Sequence, residues 1–383
     1  MLTSRERVLL ALDHKEPDRV PLDYSADQEV TNALCEKLGL PDASALLRHF
    51  HVDIRRVGMP FVSHRTAVAD PLVPDGFTSL RGGFEVELPD GTLQNVFGTR
   101  RTAKGNRMHA GYPYYHPLAH VRTVADVEAH PWPNPDDVDY DSVPALCEEA
   151  SAGGEYATLG GPQCRIFHDA VDMVGMERFF ILMAEEPEVA AAIIQHVSDY
   201  YYEVAKRFYA AARGKLDIAF SMSDLGTQRD LMISPAMWRR MVKPHFERLY
   251  RLAHEHGMRT FFHSDGAIRR IIPDLIEIGL DCLNPIQAGA VGMEPASLKE
   301  EFGQRLAFHG SIDVQKTLPF GSTEDVQREV IDRLRTLGRG GGFILSCSHS
   351  LLADVPLDNI ITMYETAYEY GFYPHLGQLH SAM

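Results

Sequence analysis

The sequence of 383 residues predicts an α/β fold: a single-domain (β/α)8 TIM barrel with a β-hairpin excursion near the N-terminus. Beyond about residue 155, short apolar runs of strand length alternate with longer segments of helical periodicity, which predicts a parallel sheet. A doubly wound open sheet is the competing architecture, but it would concentrate functional residues at one crevice. Polar residues instead follow nearly every predicted strand, which favours the barrel: Asp23, Asp224, His263, Asn284, Asp313 and His349.

The predicted strands are short apolar runs, at 20–24, 155–159, 217–222, 259–263, 281–284, 305–309 and 342–346. Apolar residues at helical spacing predict helices at 5–12, 27–38, 187–211, 267–278, 294–303, 324–337 and 357–371. Ser234-Pro235 predicts a further helix start, and Pro244 predicts a kink within that helix.

Residues 76–104 depart from this alternation. Gly82-Gly83 and Pro89-Asp90-Gly91 are turn signals between alternating segments, so we expect a β-hairpin insertion at 76–104. Residues 110–145 are rich in Pro, His and Asp and predict a long surface connection with short helices. The whole chain, 1–383, is expected to form one domain.

The composition limits the classes of partner. With 37 basic and 53 acidic residues the net charge is −16, which disfavours binding to nucleic acid. The N-terminus lacks the apolar stretch of a signal peptide, and no apolar run is long enough to span a membrane. The five cysteines are scattered without a C-x-x-C pair, which is typical of a reducing compartment. We therefore expect a cytoplasmic protein that acts on a small-molecule substrate.

Two strand ends carry candidate metal ligands. His263 and Asp265 are two residues apart and share a face of the chain, as do Cys347 and His349. In one parallel barrel both pairs meet at the C-terminal mouth, where such barrels hold their active sites. A catalytic zinc site needs three protein ligands, which His263, Asp265 and either His349 or Cys347 would supply. The alternative is that Asp265 caps a helix near Ile268 and Cys347 is an ordinary buried thiol.

Other strand ends carry candidates for substrate binding. Asp224 and Gln228 follow the predicted strand at 217–222, where they would orient a substrate, support a metal ligand, or cap a turn. Asn284 and Gln287 form an amide cluster at the end of the predicted strand at 281–284, where they would hydrogen-bond either a substrate or the loop backbone. Asp313 is a further candidate for substrate binding, and Asp23 for catalysis.

Several sequence blocks, in this order and spacing, resemble the uroporphyrinogen decarboxylase superfamily. They cover most of the chain and comprise Ser4-Arg5-Glu6-Arg7-Val8, Pro17-Asp18-Arg19-Val20-Pro21, Ile233-Ser234-Pro235-Ala236-Met237-Trp238, Phe262-His263-Ser264-Asp265-Gly266, Gly279-Leu280-Asp281-Cys282-Leu283-Asn284-Pro285 and His309-Gly310-Ser311-Ile312-Asp313. The resemblance implies one (β/α)8 barrel, and it makes a homodimer plausible.

The resemblance implies one of two chemistries. True uroporphyrinogen decarboxylases use no cofactor and hold their substrate through an Arg-Gln-Ala-Gly-Arg segment, which this chain lacks, and an essential aspartate. The cobamide-dependent methyltransferases of the superfamily, including methylcobamide:coenzyme M methyltransferases, bind zinc through a His-x-Cys pair and a later cysteine. By this resemblance the histidine is His263, Asp265 replaces the first cysteine, and the later cysteine aligns with His349 or, after a shift of two, Cys347. Carboxylate and imidazole make a harder site, which suits oxygen-bearing substrates or water as well as thiols.

Three functions follow as hypotheses. The first is zinc-dependent methyl transfer involving a corrinoid or small-molecule acceptor, with Asp23, Asp224 and Asp265 in catalysis and Gln228, Asn284, Gln287 and Asp313 at the substrate. The second is a metal-free decarboxylase of uroporphyrinogen or another carboxylate, in which Asp23 stabilises positive charge on the substrate. The third is a non-catalytic subunit that docks a corrinoid protein. The sequence shows no cobalamin-binding domain, so a corrinoid would arrive free or on a partner.

Overall fold

The computed structural model describes residues 2–61, 85–87, 90–102 and 113–378. Within these residues, seven parallel strands form one sheet in the order β1-β5-β6-β7-β8-β9-β10, and β2, β3 and β4 form a separate antiparallel sheet. The strands are β1 Ile54–Val57, β2 Glu85–Glu87, β3 Thr92–Asn95, β4 Arg100–Thr102, β5 Ala157–Gly160, β6 Ile218–Met222, β7 Arg259–His263, β8 Cys282–Asn284, β9 Ala307–Ile312 and β10 Phe343–Cys347.

A short extended segment at 20–24 closes the large sheet into a barrel. On one side, Leu345 of β10 donates its backbone N–H to Pro21 and accepts that of Asp23, at 2.9 and 3.0 Å. On the other side, Asp53, directly before β1, donates to the carbonyl of Leu22 at 2.8 Å. The predicted first strand therefore lies between the two edges of the sheet, and the predicted TIM barrel is confirmed.

Helices connect the strands and cover the outside of the barrel. They are α1 Ser4–Leu12, α2 Gln28–Leu38, α3 Ala43–His49, α4 Val124–Glu128, α5 Val143–Ser151, α6 Ile166–Val174, α7 Met176–Glu185, α8 Pro187–Ala212, α9 Pro235–Met237, α10 Lys243–Glu255, α11 Ile272–Glu277, α12 Pro295–Phe302, α13 Thr317–Phe320, α14 Thr323–Leu337, α15 Leu357–Tyr370 and α16 Tyr373–Gln378. No helix among the described residues is long and apolar enough to cross a membrane.

Local sequence signals explain where the main helices begin and what they bury. Thr3 and Glu6 form a capping box at α1, and Ser322 and Asp325 form another at α14. The long helix α8 begins at Pro187 and buries its apolar stripe against the barrel. The apolar residues at helical spacing in the predicted helix at 187–211 are buried in this stripe: Ile193, Ile194, Val197, Tyr201, Val204 and Phe208.

The inside of the barrel is packed with apolar side chains, and α1 takes part in this packing. Val8 and Leu12 of α1 belong to the same buried cluster as Ile54, Leu159, Ile218, Phe220, Phe261 and Ile344 of the strands. Because α1 also donates a backbone hydrogen bond to Glu155, directly before β5, it lies at the N-terminal end of the strands. The C-terminal end is left for chemistry, as in other barrels of this kind.

Some elements differ from the prediction. The described part of the 76–104 insertion is a three-stranded antiparallel sheet, with Asp90-Gly91 between β2 and β3; residues 76–84, 88–89 and 103–104 lie outside the described residues. The helix that starts at Pro235 passes into a π-turn at Trp238–Val242, and α10 follows from Lys243 with Pro244 in its first turn; the predicted kink at Pro244 stays a prediction. Strand β1 and helices α6 and α7 were not predicted.

Candidate metal centre at the barrel mouth

Three of the predicted metal ligands converge at the C-terminal ends of β7 and β10. His263 is the last residue of β7, Asp265 lies two residues beyond it, and His349 lies two residues beyond β10. Their ligand atoms all lie within 4.8 Å of one another, and His349 Nε2 is 3.9 Å from Asp265 Oδ2. The convergence arises because parallel strands present their carboxyl ends at the same edge of the sheet.

The donor atoms of this triad suit zinc. Two imidazole nitrogens and one carboxylate oxygen are common zinc ligands, and bonds of about 2.1 Å in a tetrahedral site put ligand atoms about 3.4 Å apart. The separation of His349 Nε2 and Asp265 Oδ2, 3.9 Å, is somewhat longer than this. Since the side chains of Asp265 and His349 are about one-third exposed, a fourth position would remain open to a substrate.

The structure places Cys347 apart from this triad. Its side chain is buried, and its Sγ donates to the backbone carbonyl of His349 at 2.7 Å. Burial raises the pKa of the Cys347 thiol to about 12, so it is protonated at neutral pH. Of the two alternatives for the third ligand, the geometry favours His349.

Asp224 lies between His263 and a residue that the sequence did not indicate, His168. Asp224 Oδ1 is 3.8 Å from His263 Nε2 and accepts the backbone N–H of Asp265 at 3.0 Å. Its other oxygen, Oδ2, is 3.7 Å from His168 Nδ1. Burial raises the pKa of Asp224, but the two histidines and the Asp265 N–H together lower it below its ordinary value. Asp224 is therefore a carboxylate beside the proposed metal ligands.

For Asp265, the effect of burial on the pKa outweighs that of the nearby histidines. Burial raises the pKa of Asp265, the Asp224 carboxylate raises it further, and His263 and His349 oppose the shift. A bound cation would relieve this cost, because it favours the charged form of a ligand. The arrangement of two carboxylates and two histidines thus has the electrostatics of a cation site.

His168 lies on α6, and the Nε2 atom of its ring is 3.6 Å from Asp172 on the same helix. Burial, followed by the charge of Arg165, lowers the pKa of His168 to about 3, so its ring is neutral. The only signal in the sequence was the spacing of four residues between His168 and Asp172. Its approach to Asp224 depends on the tertiary fold.

A buried row of side chains extends from His263 across the barrel mouth. His263 Nδ1 is 2.6 Å from Asn284 Oδ1, and Asn284 Nδ2 is 2.7 Å from His309 Nδ1. His309 Nε2 is 2.8 Å from Asp23 Oδ2, and Arg56 donates to both oxygens of Asp23, at 2.6 and 2.5 Å. The structure thus places Asn284 and Asp23 at the site but engages both with protein groups; sequence reasoning missed His309 and Arg56.

The remaining predicted residues contact the backbone or solvent. Gln287 accepts the N–H of Gly266 at 2.8 Å and so positions the loop that carries Asp265. Asp313 accepts the N–H groups of Gln315 and Lys316, which is turn capping. Gln228 is exposed, and its backbone carbonyl accepts the N–H of Val291. Their roles at a substrate remain predictions.

A cavity of about 130 Å³ adjoins the triad. Its lining includes the apolar side chains of Leu159, Phe220, Met222 and Phe261 and the polar side chains of His263, His349 and Arg56.

The family model described as Uroporphyrinogen decarboxylase (URO-D) matches residues 108–370 of the chain. A uroporphyrinogen decarboxylase of Crocosphaera subtropica is 32% identical over 75 residues, and the match spans 20% of each chain. A solved methyltransferase structure from Methanosarcina mazei superposes with a TM-score of 0.66 at 17% identity, over 97% of this chain and 99% of that one. The structural similarity supports the fold alone.

Four of the six sequence blocks that suggested the superfamily lie within this match, the two N-terminal blocks precede it, and the barrel that the blocks imply is present. Because the family model covers well over half of the sequence, the chain belongs to the uroporphyrinogen decarboxylase family.

Proposed function

We propose that this protein is a metal-dependent methyltransferase in which His263, Asp265 and His349 hold a divalent metal ion, with zinc as the best match. The observation that carries the proposal is the convergence of these ligand atoms within 4.8 Å at the mouth of the barrel. When bound, such a metal supplies Lewis acidity to a thiol or oxygen acceptor. The solved methyltransferase with the same fold is compatible with this chemistry.

The protein's own groups would orient the acceptor. Asp224 Oδ1 lies 3.8 Å from His263 Nε2, and the lowered pKa of this carboxyl keeps it ionised, so it can accept a hydrogen bond from the O–H or S–H of the acceptor. The apolar wall formed by Phe220, Met222 and Phe261 would exclude water from the transferred methyl group. The methyl donor in this proposal is a corrinoid, either free or carried by a partner protein.

One observation favours methyl transfer over the decarboxylase hypothesis. Asp23, which the decarboxylase hypothesis needs beside a developing positive charge, is fully buried and already binds Arg56 and His309. The converging ligands likewise favour an enzyme over a non-catalytic docking subunit.

The first experiment is elemental analysis of tag-free protein, comparing the wild type with His263→Ala. The matched control is His254→Ala, which removes a partly exposed histidine paired with Asp281 away from the triad. We expect near-stoichiometric zinc in the wild type and the control, and its loss in His263→Ala.

Absence of metal from the wild type, even after reconstitution with zinc, would contradict the proposal. If the wild type binds zinc, the zinc-loaded protein would next be tested for demethylation of methylcobalamin, with small thiols and alcohols as acceptors. The change in cobalamin absorbance would measure this reaction. Turnover of uroporphyrinogen by metal-free protein would establish the decarboxylase hypothesis instead.

A further inference from the structure

We infer that Asp23, His309 and Asn284 are positioning residues whose hydrogen bonds fix the proton of His263 on Nδ1 and so present Nε2 to the metal. The inference rests on the proposed metal site. It gives Asp23 a role other than the direct catalytic one predicted from the sequence. It also assigns a function to His309 and Arg56, which lie outside the proposed triad.

The direction of the hydrogen bonds is set at Asp23. This residue is fully buried, and Arg56 donates to both of its oxygens, so the carboxylate is ionised. An ionised carboxylate only accepts hydrogen bonds. The 2.8 Å contact with His309 Nε2 is therefore an N–H donated by His309.

That donation determines the state of the next two side chains. Burial lowers the pKa of His309 even though Asp23 opposes the shift, so the ring is neutral and carries its only proton on Nε2. Its Nδ1 must then accept, and the group within reach is the Nδ2–H of Asn284 at 2.7 Å. The amide of Asn284 is thereby oriented with Oδ1 toward His263.

The last step reaches the metal ligand. Asn284 Oδ1 can only accept, so the 2.6 Å contact requires His263 to donate from Nδ1. A neutral His263 then has its lone pair on Nε2, the atom that lies 3.8 Å from Asp224 at the site. In the other tautomer a proton would occupy the coordinating nitrogen.

The surroundings make this row of bonds robust. Asn284 and His309 are both less than one-tenth exposed, and the ring of Phe261 packs edge-on against His309 at 5.0 Å. Water therefore competes little for these hydrogen bonds. Because Arg56 balances the charge of Asp23, the row supplies orientation rather than net negative charge to the metal ligand.

The test compares two substitutions of His309 in full-length protein. In His309→Leu the row is broken at its centre, and we expect zinc affinity, measured by chelator competition, to fall about 10–100-fold, as is usual for outer partners of metal ligands. In His309→Gln the side-chain amide can still donate to Asp23 and accept from Asn284, so we expect affinity within about threefold of the wild type. The control Glu128→Gln removes a carboxylate from the exposed His196–Glu128 pair and should change nothing.

A second measurement needs no variant at the site and no bound metal. In ¹⁵N-histidine-labelled wild type, after removal of metal by a chelator, the ring-nitrogen shifts of His263 should report a proton on Nδ1; His263→Gln would identify the signal. A proton on Nε2 would overturn the inference, and so would His309→Leu protein that is folded and binds zinc as tightly as the wild type. If the wild type binds no zinc but carries the Nδ1 proton, the metal proposal fails and the hydrogen-bond assignment stands.

Discussion

The identity of the third metal ligand is a question at the scale of single residues. Cys347 and His349 are two positions apart, so on a strand they would share a face, and the sequence left both open. In the structure β10 ends at Cys347, and the chain turns before His349. The thiol therefore faces the backbone, while the imidazole reaches Asp265.

We expect Cys347→Ser to retain zinc and His349→Ala to lose it. A serine hydroxyl can still donate to the carbonyl of His349, so the substitution preserves the local contact that the thiol makes. Zinc content by elemental analysis, with folding checked by circular dichroism, distinguishes the two. Loss of zinc from folded Cys347→Ser would show that Cys347 is a metal ligand, and the site would then include a thiolate.

Residues near the end of a strand were predicted well from sequence, because the alternation of side chains and the common edge of a parallel sheet place them together. His263, Asp265 and Asp224 were found in this way. His168 and His309 were missed for different reasons. His168 lies on a helix, and the partner of His309 is Asp23, 286 positions away in the sequence. No local pattern encodes such a pairing.

At the scale of elements, the site depends on contact between the loop after β6, which carries Asp224, and the loop after β7, which carries Asp265. Gly226 and Gly266 meet where these loops touch: a Cβ on Gly266 would lie 2.6 Å from the carbonyl carbon of Gly226. Gly266 also has φ of +85°, a conformation that disfavours other residues. Two glycines therefore set the distance between the two carboxylates.

We expect Gly266→Ala to separate these loops, weaken zinc binding by at least about tenfold, and destabilise the fold by about 1–3 kcal/mol through the clash in addition to about 1–2 kcal/mol of backbone strain. The control is Gly214→Ala, which has a similar φ of +75° but no atom within 4 Å of the new Cβ. It should cost about 1–2 kcal/mol in backbone strain and leave zinc affinity unchanged. Urea unfolding and chelator competition measure the two effects, and equal zinc affinities of the two variants would contradict the role of this contact.

Strand β1 shows why some elements escaped prediction. Its sequence, Ile54-Arg55-Arg56-Val57, has two central arginines and lacks the apolar character expected of a barrel strand. The structure accommodates them individually: Arg56 pairs with Asp23, and Arg55 stacks over Tyr156 with 3.7 Å between its guanidinium carbon and the ring centroid. Periodicity detects strands whose burial is uniform, and it misses a strand whose charges are neutralised by distant partners.

At the scale of the whole molecule, a buried ion cluster joins the pieces that close the barrel. Asp53, fully buried before β1, accepts hydrogen bonds from Arg7 of α1 at 2.7 Å and from Arg19 at 2.8 and 2.9 Å. It also accepts the backbone N–H of Leu22 at 2.8 Å. Arg7 and Arg19 belong to the N-terminal blocks that suggested the family, so these blocks maintain closure of the barrel at the end opposite the proposed metal site.

We therefore expect Asp53→Asn to lower the free energy of unfolding by about 3–5 kcal/mol, because it leaves two buried guanidinium groups facing a neutral amide. Arg19 would lose its only carboxylate partner among the ion pairs of the described residues, whereas Arg7 would keep Asp18. The control Asp13→Asn, which breaks a partly exposed pair with Arg259, should cost less than about 1 kcal/mol. In urea unfolding, a small loss for Asp53→Asn would mean that closure does not depend on this cluster. The zinc affinity of the folded Asp53→Asn variant should match that of the wild type, because the ion cluster and the triad lie at opposite ends of the strands. That result would show that closure of the barrel and metal binding are separable properties of this fold.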